Sequence, residues 1–173
     1  MSKNYLLEQG AEDIHQYGET PFDTMELMGK EALITPQDHL FELGCGRGLA
    51  AFFMKERFGC SVTGIEQIPV FVKKAVLVNR LCSLGVTFRC ENFCESDLSA
   101  ATVIYLYGTC LPDEVIYKLC DRFLPGQRII SVSYPLSDYN SNFHVLKKIN
   151  VNYPWGETEA YVNSSNHFVG VRV

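Results

Sequence analysis

The sequence lacks an apolar run long enough to cross a membrane, and it begins with no basic-then-apolar leader. Its seven cysteines form no C-x-x-C pair, and its 15 Lys and Arg are outnumbered by 20 Asp and Glu, which gives a net charge of −5. These absences argue against a membrane protein, a secreted disulfide scaffold and a strong binder of nucleic acid, whose phosphate contacts need a basic face. We therefore expect a cytoplasmic protein with reduced, mostly buried thiols.

No repeat, low-complexity tract or linker divides the 173 residues, so we expect a single domain over 1–173. Apolar runs of strand length alternate with segments of helical period. The pattern predicts strands over 39–43, 61–66, 86–90, 101–107 and 127–133, and helices over 49–58, 69–84 and 111–123. This alternation over 36–133 predicts an α/β fold: a mostly parallel sheet with helices on both faces.

The two ends of the chain have other patterns. Within 1–35 we expect a helix that Thr20 caps and that Pro21 opens. Within 134–173 the segments 143–153, 158–162 and 167–173 have strand patterns joined by short polar turns. These C-terminal strands are predicted to form an antiparallel edge of the sheet.

Glycines recur at alternate positions directly after the first predicted strand, at Gly44, Gly46 and Gly48. They allow the backbone to turn sharply and to lie against a ligand without Cβ atoms in the way. The second predicted strand ends in Glu66, whose carboxylate is placed to accept both hydroxyls of a ribose. Strand, glycine turn, helix and second acid together predict a nucleoside-binding site.

Glu42, at the end of the first predicted strand, discriminates between two kinds of nucleoside cofactor. Gly46-x-Gly48-x-x-Ala51 satisfies a relaxed dinucleotide fingerprint, which would suit a nicotinamide or flavin enzyme. A carboxylate beside the turn would repel a pyrophosphate, whereas it attracts the ammonium and sulfonium of S-adenosylmethionine. S-adenosylmethionine is therefore the predicted cofactor. After the third strand, Asn92 and Phe93 are predicted to reach its adenine, although core packing accounts for Phe93 equally well.

Three stretches of sequence carry a family resemblance: YGETPFD at 17–23, TVIYL at 102–106 followed by PDEV at 112–115, and more weakly WGETEAY at 155–161. With them the chain resembles class I S-adenosylmethionine-dependent methyltransferases over nearly its full length. Within that class it is most similar to the nucleosomal-histone lysine methyltransferases named for disruption of telomeric silencing. Small bacterial and mitochondrial lysine methyltransferases share the same outline.

The resemblance implies a Rossmann-like, doubly wound fold and a lysine acceptor. It also implies that the Y-G-E-T loop folds over the methionine end of the cofactor, with Tyr17, Glu19 and Thr20 in contact with it. Where that family has paired asparagines facing the transferred methyl, this chain has Tyr107-Gly108-Thr109, and the family's basic DNA-contacting segment has no counterpart. Nucleosomal histone is therefore not the expected substrate.

A lysine acceptor must lose its proton before it attacks, and an apolar, aromatic channel favours the neutral amine. Tyr107, at the end of the fourth predicted strand, is the candidate catalytic wall of such a channel, and Trp155 and Tyr161 are candidate substrate contacts. Trp155 would also suit a hairpin anchor, and Tyr161 a cross-strand packing role. No histidine has metal-ligand spacing, so no metal is predicted.

Other functions remain compatible with this sequence. A methyltransferase that acts on RNA or a small molecule, and a partner subunit that binds S-adenosylmethionine without transferring its methyl group, both fit the glycine turn. A nicotinamide-dependent oxidoreductase fits the glycines but not Glu42. The identity of the acceptor, the number of methyl groups and the oligomeric state are left open.

Overall fold

A mixed β-sheet with helices packed against it is built from residues 18–165, which are the residues that the computed structural model describes. The helices are α1 (Phe22–Glu31), α2 (Leu49–Phe58), α3 (Pro69–Cys82) and α4 (Asp113–Cys120). The strands are β1 (His39–Leu43), β2 (Ser61–Glu66), β3 (Thr87–Cys90), β4 (Val103–Leu106), β5 (Arg128–Val132), β6 (Phe143–Tyr153) and β7 (Gly156–Ser165). A short 3₁₀ helix, Leu136–Asp138, follows β5.

The strand order in the described sheet is β3-β2-β1-β4-β5-β7-β6. Strands β1 to β5 run parallel, and β7 pairs antiparallel with both β5 and β6. The predicted doubly wound α/β fold with an antiparallel C-terminal edge is thereby confirmed. Strand β7 (Gly156–Ser165) is longer than the strand predicted over 158–162. The strand predicted over 167–173 lies outside the described residues.

Alternation along the central strands builds two apolar clusters, one on each face of the sheet. On β1, Leu40 joins the cluster that contains Met25 of α1 and Met54 of α2. Its neighbour Phe41 joins the other cluster, which contains Ile116 of α4. Because side chains alternate along a strand, short apolar runs such as that of β1 cover both faces at once. Within residues 18–165, no helix is long and apolar enough to cross a membrane.

Two helix ends differ from the prediction. Pro21 occupies the N-cap position of α1, and no side chain caps this helix. The expectation that Thr20 caps it was wrong, because the buried Thr20 hydroxyl instead bonds the Tyr105 hydroxyl, 2.6 Å away. Helix α3 ends at Cys82, two residues before the predicted end at residue 84. The next residue, Ser83, takes the left-handed conformation with φ of 54° and stops the helix.

Asn163 is a fully buried polar residue of β7 that ties three parts of the sheet edge together. Its amide donates to the Ile129 carbonyl on β5, to the Ser131 hydroxyl and to the Tyr161 carbonyl, at 3.0, 3.0 and 3.1 Å. Its Oδ1 accepts from the backbone N–H of Leu136, at 3.0 Å. These bonds fix the position of the chain that leaves β5.

The variant Asn163→Leu should lower the free energy of unfolding by about 2–4 kcal/mol, because it leaves the Leu136 N–H and three oxygens without this partner. Urea unfolding followed by circular dichroism would measure this loss. Asn150→Leu is the matched control, since Asn150 is exposed on β6 and should change stability by less than about 0.5 kcal/mol. Equal losses in the two variants would contradict this account.

Candidate cofactor and acceptor site

A cleft opens at the carboxyl ends of β1, β2 and β4, where ligands of open α/β sheets are typically bound. Most of the residues singled out in the sequence line it: Glu19, Thr20, Glu42, Gly44, Gly46, Glu66, Phe93 and Tyr107. Gly48, Asn92, Trp155 and Tyr161 are not among the lining residues. Tyr17 lies outside the described residues.

The glycine turn after β1 is fixed to β2 by main-chain hydrogen bonds. The backbone N–H groups of Gly44 and Cys45 both donate to the Ile65 carbonyl, at 2.8 and 3.0 Å. The N–H of Gly46 donates to Oε2 of Glu66, at 3.0 Å. Gly44 has φ of +78°, a conformation that glycine adopts without strain. The turn therefore lies flat across the ends of the two strands and leaves the cleft open above it.

Glu66 is buried at the end of β2 and receives two backbone hydrogen bonds. Besides the bond from Gly46, its Oε1 accepts from the N–H of Ile68, at 2.8 Å. These bonds orient the carboxylate, and each oxygen keeps a further lone pair for another donor. Both observations fit the predicted role of Glu66 as the acceptor for ribose hydroxyls.

Glu42 is a buried carboxyl group with an unsatisfied oxygen. Its Oε2 has no hydrogen-bond partner in the structure. Burial raises the pKa of Glu42 to about 8; the backbone N–H of Ala51 lowers this pKa, and the nearby charge of Glu66 raises it further. A buried carboxyl with one unpaired oxygen at the cleft wall is suited to a cation. The ammonium and sulfonium of S-adenosylmethionine meet that requirement, and a pyrophosphate does not.

Gly48 does not line the cleft; its role is to let the backbone turn into α2. It precedes α2 with φ of +85°, and a Cβ atom at this position would lie 2.7 Å from the ring of Phe88. The third glycine of the motif is thus required by chain geometry and by packing against β3. The alternate spacing of the glycines alone did not separate this role from ligand contact.

The two predicted adenine contacts after β3 are placed differently. Phe93 lines the cleft, and its ring also packs against the apolar cluster of α4, so both of its predicted roles are compatible with its position. Asn92 is exposed, and its Oδ1 accepts from the N–H of Cys94, at 3.0 Å, within the turn. Its contact with adenine stays a prediction.

Residues 18–20, here called the covering segment, form one wall of the cleft. Glu19 is joined to Arg47 of the glycine turn by an ion pair of 2.6 Å. Gly18 lies against Tyr107, since a Cβ atom at Gly18 would be only 3.0 Å from that ring. The covering segment thus contacts both the glycine turn and Tyr107, which follows β4.

Three aromatic rings form a continuous stack beside the covering segment. Tyr107 and Tyr153 are stacked with centroids 4.9 Å apart, and Tyr153 and Trp155 with centroids 5.4 Å apart. The indole Nε1 of Trp155 donates to the Tyr107 hydroxyl, at 2.7 Å. Tyr107 lines the cleft and Trp155 is 53% exposed, so this three-ring stack leads from the cleft to the surface.

Tyr161 is not part of the three-ring stack. It pairs with Ser131 of β5 and Lys148 of β6, and its hydroxyl donates to Glu159. This is the cross-strand position that the sequence allowed as its alternative role. Tyr153, which stacks on both other rings, and Tyr105 were not predicted, although both stand two residues from a predicted wall residue, the spacing of one strand face.

The described residues hold no group of three or more His, Cys, Asp and Glu side chains that could bind a metal ion. The polar groups that line the cleft include three carboxyls, those of Glu19, Glu42 and Glu66, and several hydroxyls.

No protein-family model matches the chain. A curated relative, the protein-lysine N-methyltransferase of Saccharolobus islandicus strain REY15A, is 27% identical over 130 residues, which are 72% of this chain and 80% of the relative. The RNA methyltransferase of Salinibacter ruber, solved with S-adenosyl-L-homocysteine, is 25% identical, with a TM-score of 0.70 over 85% of this chain and 92% of that one. A methyltransferase of Thiobacillus denitrificans, also solved with that product, shares the fold at 14% identity, with a TM-score of 0.64 over 88% and 75% of the two chains.

The fold and the cleft define a class I S-adenosylmethionine-dependent methyltransferase. The chain is a methyltransferase enzyme, and S-adenosylmethionine is its cofactor. Within the cleft, the Glu42 and Glu66 carboxyls are the groups suited to its cationic end and its ribose.

Gly48→Ala should be more destabilising than Gly44→Ala. The first change combines left-handed strain with a collision against Phe88 and should cost about 2–4 kcal/mol. The second adds only the strain, about 1–2 kcal/mol, because the nearest atom to its Cβ would be 3.9 Å away in Phe93. Urea unfolding of both variants measures the difference. Equal losses would mean that Phe88 is free to move aside.

Binding of S-adenosylmethionine should displace the proton of Glu42 at pH 7, because the pKa of about 8 leaves this carboxyl mostly protonated until a cation arrives. Affinity should therefore increase as the pH rises toward 8. Glu42→Gln should bind more weakly and lose this part of the proton release. Calorimetric titrations in two buffers of different ionisation enthalpy give the number of protons released. The same number for wild type and variant would show that Glu42 is already ionised.

Proposed function

We propose that this enzyme transfers the methyl group of S-adenosylmethionine to the side-chain amine of a protein lysine. The observation that carries the proposal is the three-ring stack, which extends from the cleft to the surface at the end of β4. Aromatic walls can enclose the alkyl stem of a lysine, disfavour its ammonium form and accept a methylated cation. The lysine methyltransferase among the curated relatives supports the same acceptor.

The cofactor supplies an electrophilic methyl on a sulfonium whose leaving thioether needs no proton. The protein therefore has to orient the amine in line with that methyl and to exclude water. In this proposal Tyr107, between the covering segment and Tyr153, forms the wall nearest the reacting atoms. Burial raises the pKa of Tyr153 to about 12 and that of Tyr105 well above its usual value, so neither hydroxyl acts as a base at neutral pH.

We further propose that the chain is related in design to the disruptor-of-telomeric-silencing methyltransferases. The covering segment, which holds the G-E-T part of their Y-G-E-T loop, lines the cleft as that relationship requires. Where that family has paired asparagines, this chain has Tyr107-Gly108-Thr109, and so one aromatic ring in place of amides. A different protein substrate follows from this change.

RNA is the second candidate acceptor. It is suggested by the RNA methyltransferase of Salinibacter ruber and by the exposed ring of Trp155, on which a base could stack. Charge disfavours it: Glu157 is exposed two residues from Trp155, and the whole chain carries a net charge of −5. Lysine is therefore the preferred acceptor.

The direct test is to incubate the purified protein and methyl-labelled S-adenosylmethionine with a cell lysate. Label should enter material that protease removes and ribonuclease does not, and mass spectrometry should locate it on lysine. Label that ribonuclease alone removes would replace the proposal with the RNA alternative.

Tyr107→Ala should reduce turnover at least about tenfold, because it opens the wall that aligns the acceptor. Tyr161→Ala is the control: Tyr161 is an aromatic residue of β7 that does not line the cleft, and turnover should stay within about twofold of wild type. Turnover is measured as label transferred per minute, with cofactor binding checked by calorimetry. An undiminished rate in Tyr107→Ala would exclude Tyr107 from the acceptor channel.

A further inference from the structure

Three buried hydroxyl groups meet between the cofactor cleft and the three-ring stack. The Tyr105 hydroxyl lies 2.6 Å from Oγ1 of Thr20 and 3.2 Å from the Tyr153 hydroxyl. Each of these residues is at most 6% exposed. Thr20, Tyr105 and Tyr153 are here called the hydroxyl cluster. Since buried polar groups are costly to leave unpaired, the bonds of this cluster hold its members firmly.

The members of the hydroxyl cluster belong to three different walls of the site. Thr20 is in the covering segment, Tyr105 is on β4, and Tyr153 ends β6 and stacks on both other rings of the three-ring stack. The sequence separations are 85 residues for the first bond and 48 for the second. The cluster is therefore a physical connection between the segment beside the cofactor and the wall beside the acceptor.

We propose that Tyr105 is a positioning residue that couples occupancy of the cofactor site to the arrangement of the acceptor wall. It acts through Thr20 on one side and Tyr153 on the other. The inference rests on the proposed function only in naming the three-ring stack as the acceptor wall.

The coupling follows from the contacts of the covering segment. Because residues 18–20 line the cleft, a bound cofactor contacts and stabilises them, and Thr20 then holds the shared Tyr105 hydroxyl in place. A hydroxyl has one proton, so the direction of the bond to Thr20 constrains the direction of the bond to Tyr153. Cofactor binding should thus order the stack, and by linkage an occupied stack should strengthen cofactor binding.

The chain provides its own reporter for this coupling. Trp155 is the single tryptophan of the 173 residues, and its ring is stacked on Tyr153. We expect S-adenosylhomocysteine to change the fluorescence of Trp155 in the wild-type protein. In Tyr105→Phe the ring stays but the shared hydroxyl is lost. That variant should bind S-adenosylhomocysteine about two- to tenfold more weakly, the effect of one hydrogen bond, and at saturation it should lose more than half of the fluorescence change.

Tyr134→Phe is the matched control. Tyr134 also carries a buried hydroxyl, but that hydroxyl has no hydrogen-bond partner in the structure. Removal of its hydroxyl should therefore leave both the affinity and the fluorescence change as in wild type. Thr20→Val, which removes the other partner of the first bond, should reproduce the Tyr105→Phe result. The double variant should be no worse than Tyr105→Phe alone, because that variant already lacks the bond to Thr20.

Two results would overturn the proposal: a full fluorescence change in saturated Tyr105→Phe, or additive losses in the double variant. Thermal melts show whether each variant is folded, and if Tyr105→Phe is not, Thr20→Val decides alone. The fluorescence measurement needs no acceptor. A labelled RNA product would thus refute the lysine proposal and leave the coupling standing. If lysine is labelled but saturated Tyr105→Phe shows the same fluorescence change as wild type, only the coupling is refuted.

Discussion

Main-chain hydrogen bonds from the glycine turn to the end of β2 are the constraint on which the rest of the site depends. The Ile65 carbonyl accepts from both Gly44 and Cys45, and the next N–H, of Gly46, is bound by Glu66. Because β1 and β2 end side by side, these bonds set where the first strand stops, and hence where Glu42 stands. Parallel pairing then places Tyr105 directly beside Glu42. The positions of Glu42, Glu66 and Tyr105 of the hydroxyl cluster thus all depend on the glycine turn.

The central sheet could be predicted because its signals are local. Short apolar runs are bounded by glycine. Three elements have the predicted ends: β1 at 39–43, β2 at 61–66 and α2 at 49–58. The position of Glu42 and Glu66 at the cleft could be predicted for the same reason, since an acid at the end of a parallel strand lies at the ligand edge of the sheet. Less strongly punctuated elements had less accurate bounds: α4 is five residues shorter than the predicted helix over 111–123, which has 13 residues against 8.

The acceptor side of the site depends on contacts that no local pattern specifies. Tyr161 was singled out and Tyr153 was not, because the register of the hairpin formed by β6 and β7 decides which tyrosine packs on the ring of Tyr107. That register includes an irregularity between Val145 and Lys147, which sequence spacing does not show. Thr20 illustrates the same point. It stands where a helix cap is expected, but a partner 85 residues away holds its hydroxyl instead.

The unsatisfied oxygen of Glu42 has a consequence for the amount of this protein in a cell. Burial of a carboxyl oxygen without a partner makes the cofactor-free fold less stable than it would otherwise be, and a ligand that binds only the folded state restores that stability by mass action. The folded fraction should therefore follow the supply of S-adenosylmethionine. When that supply is low, more chains are open to proteases, and the enzyme is removed under the conditions in which it has no methyl group to transfer.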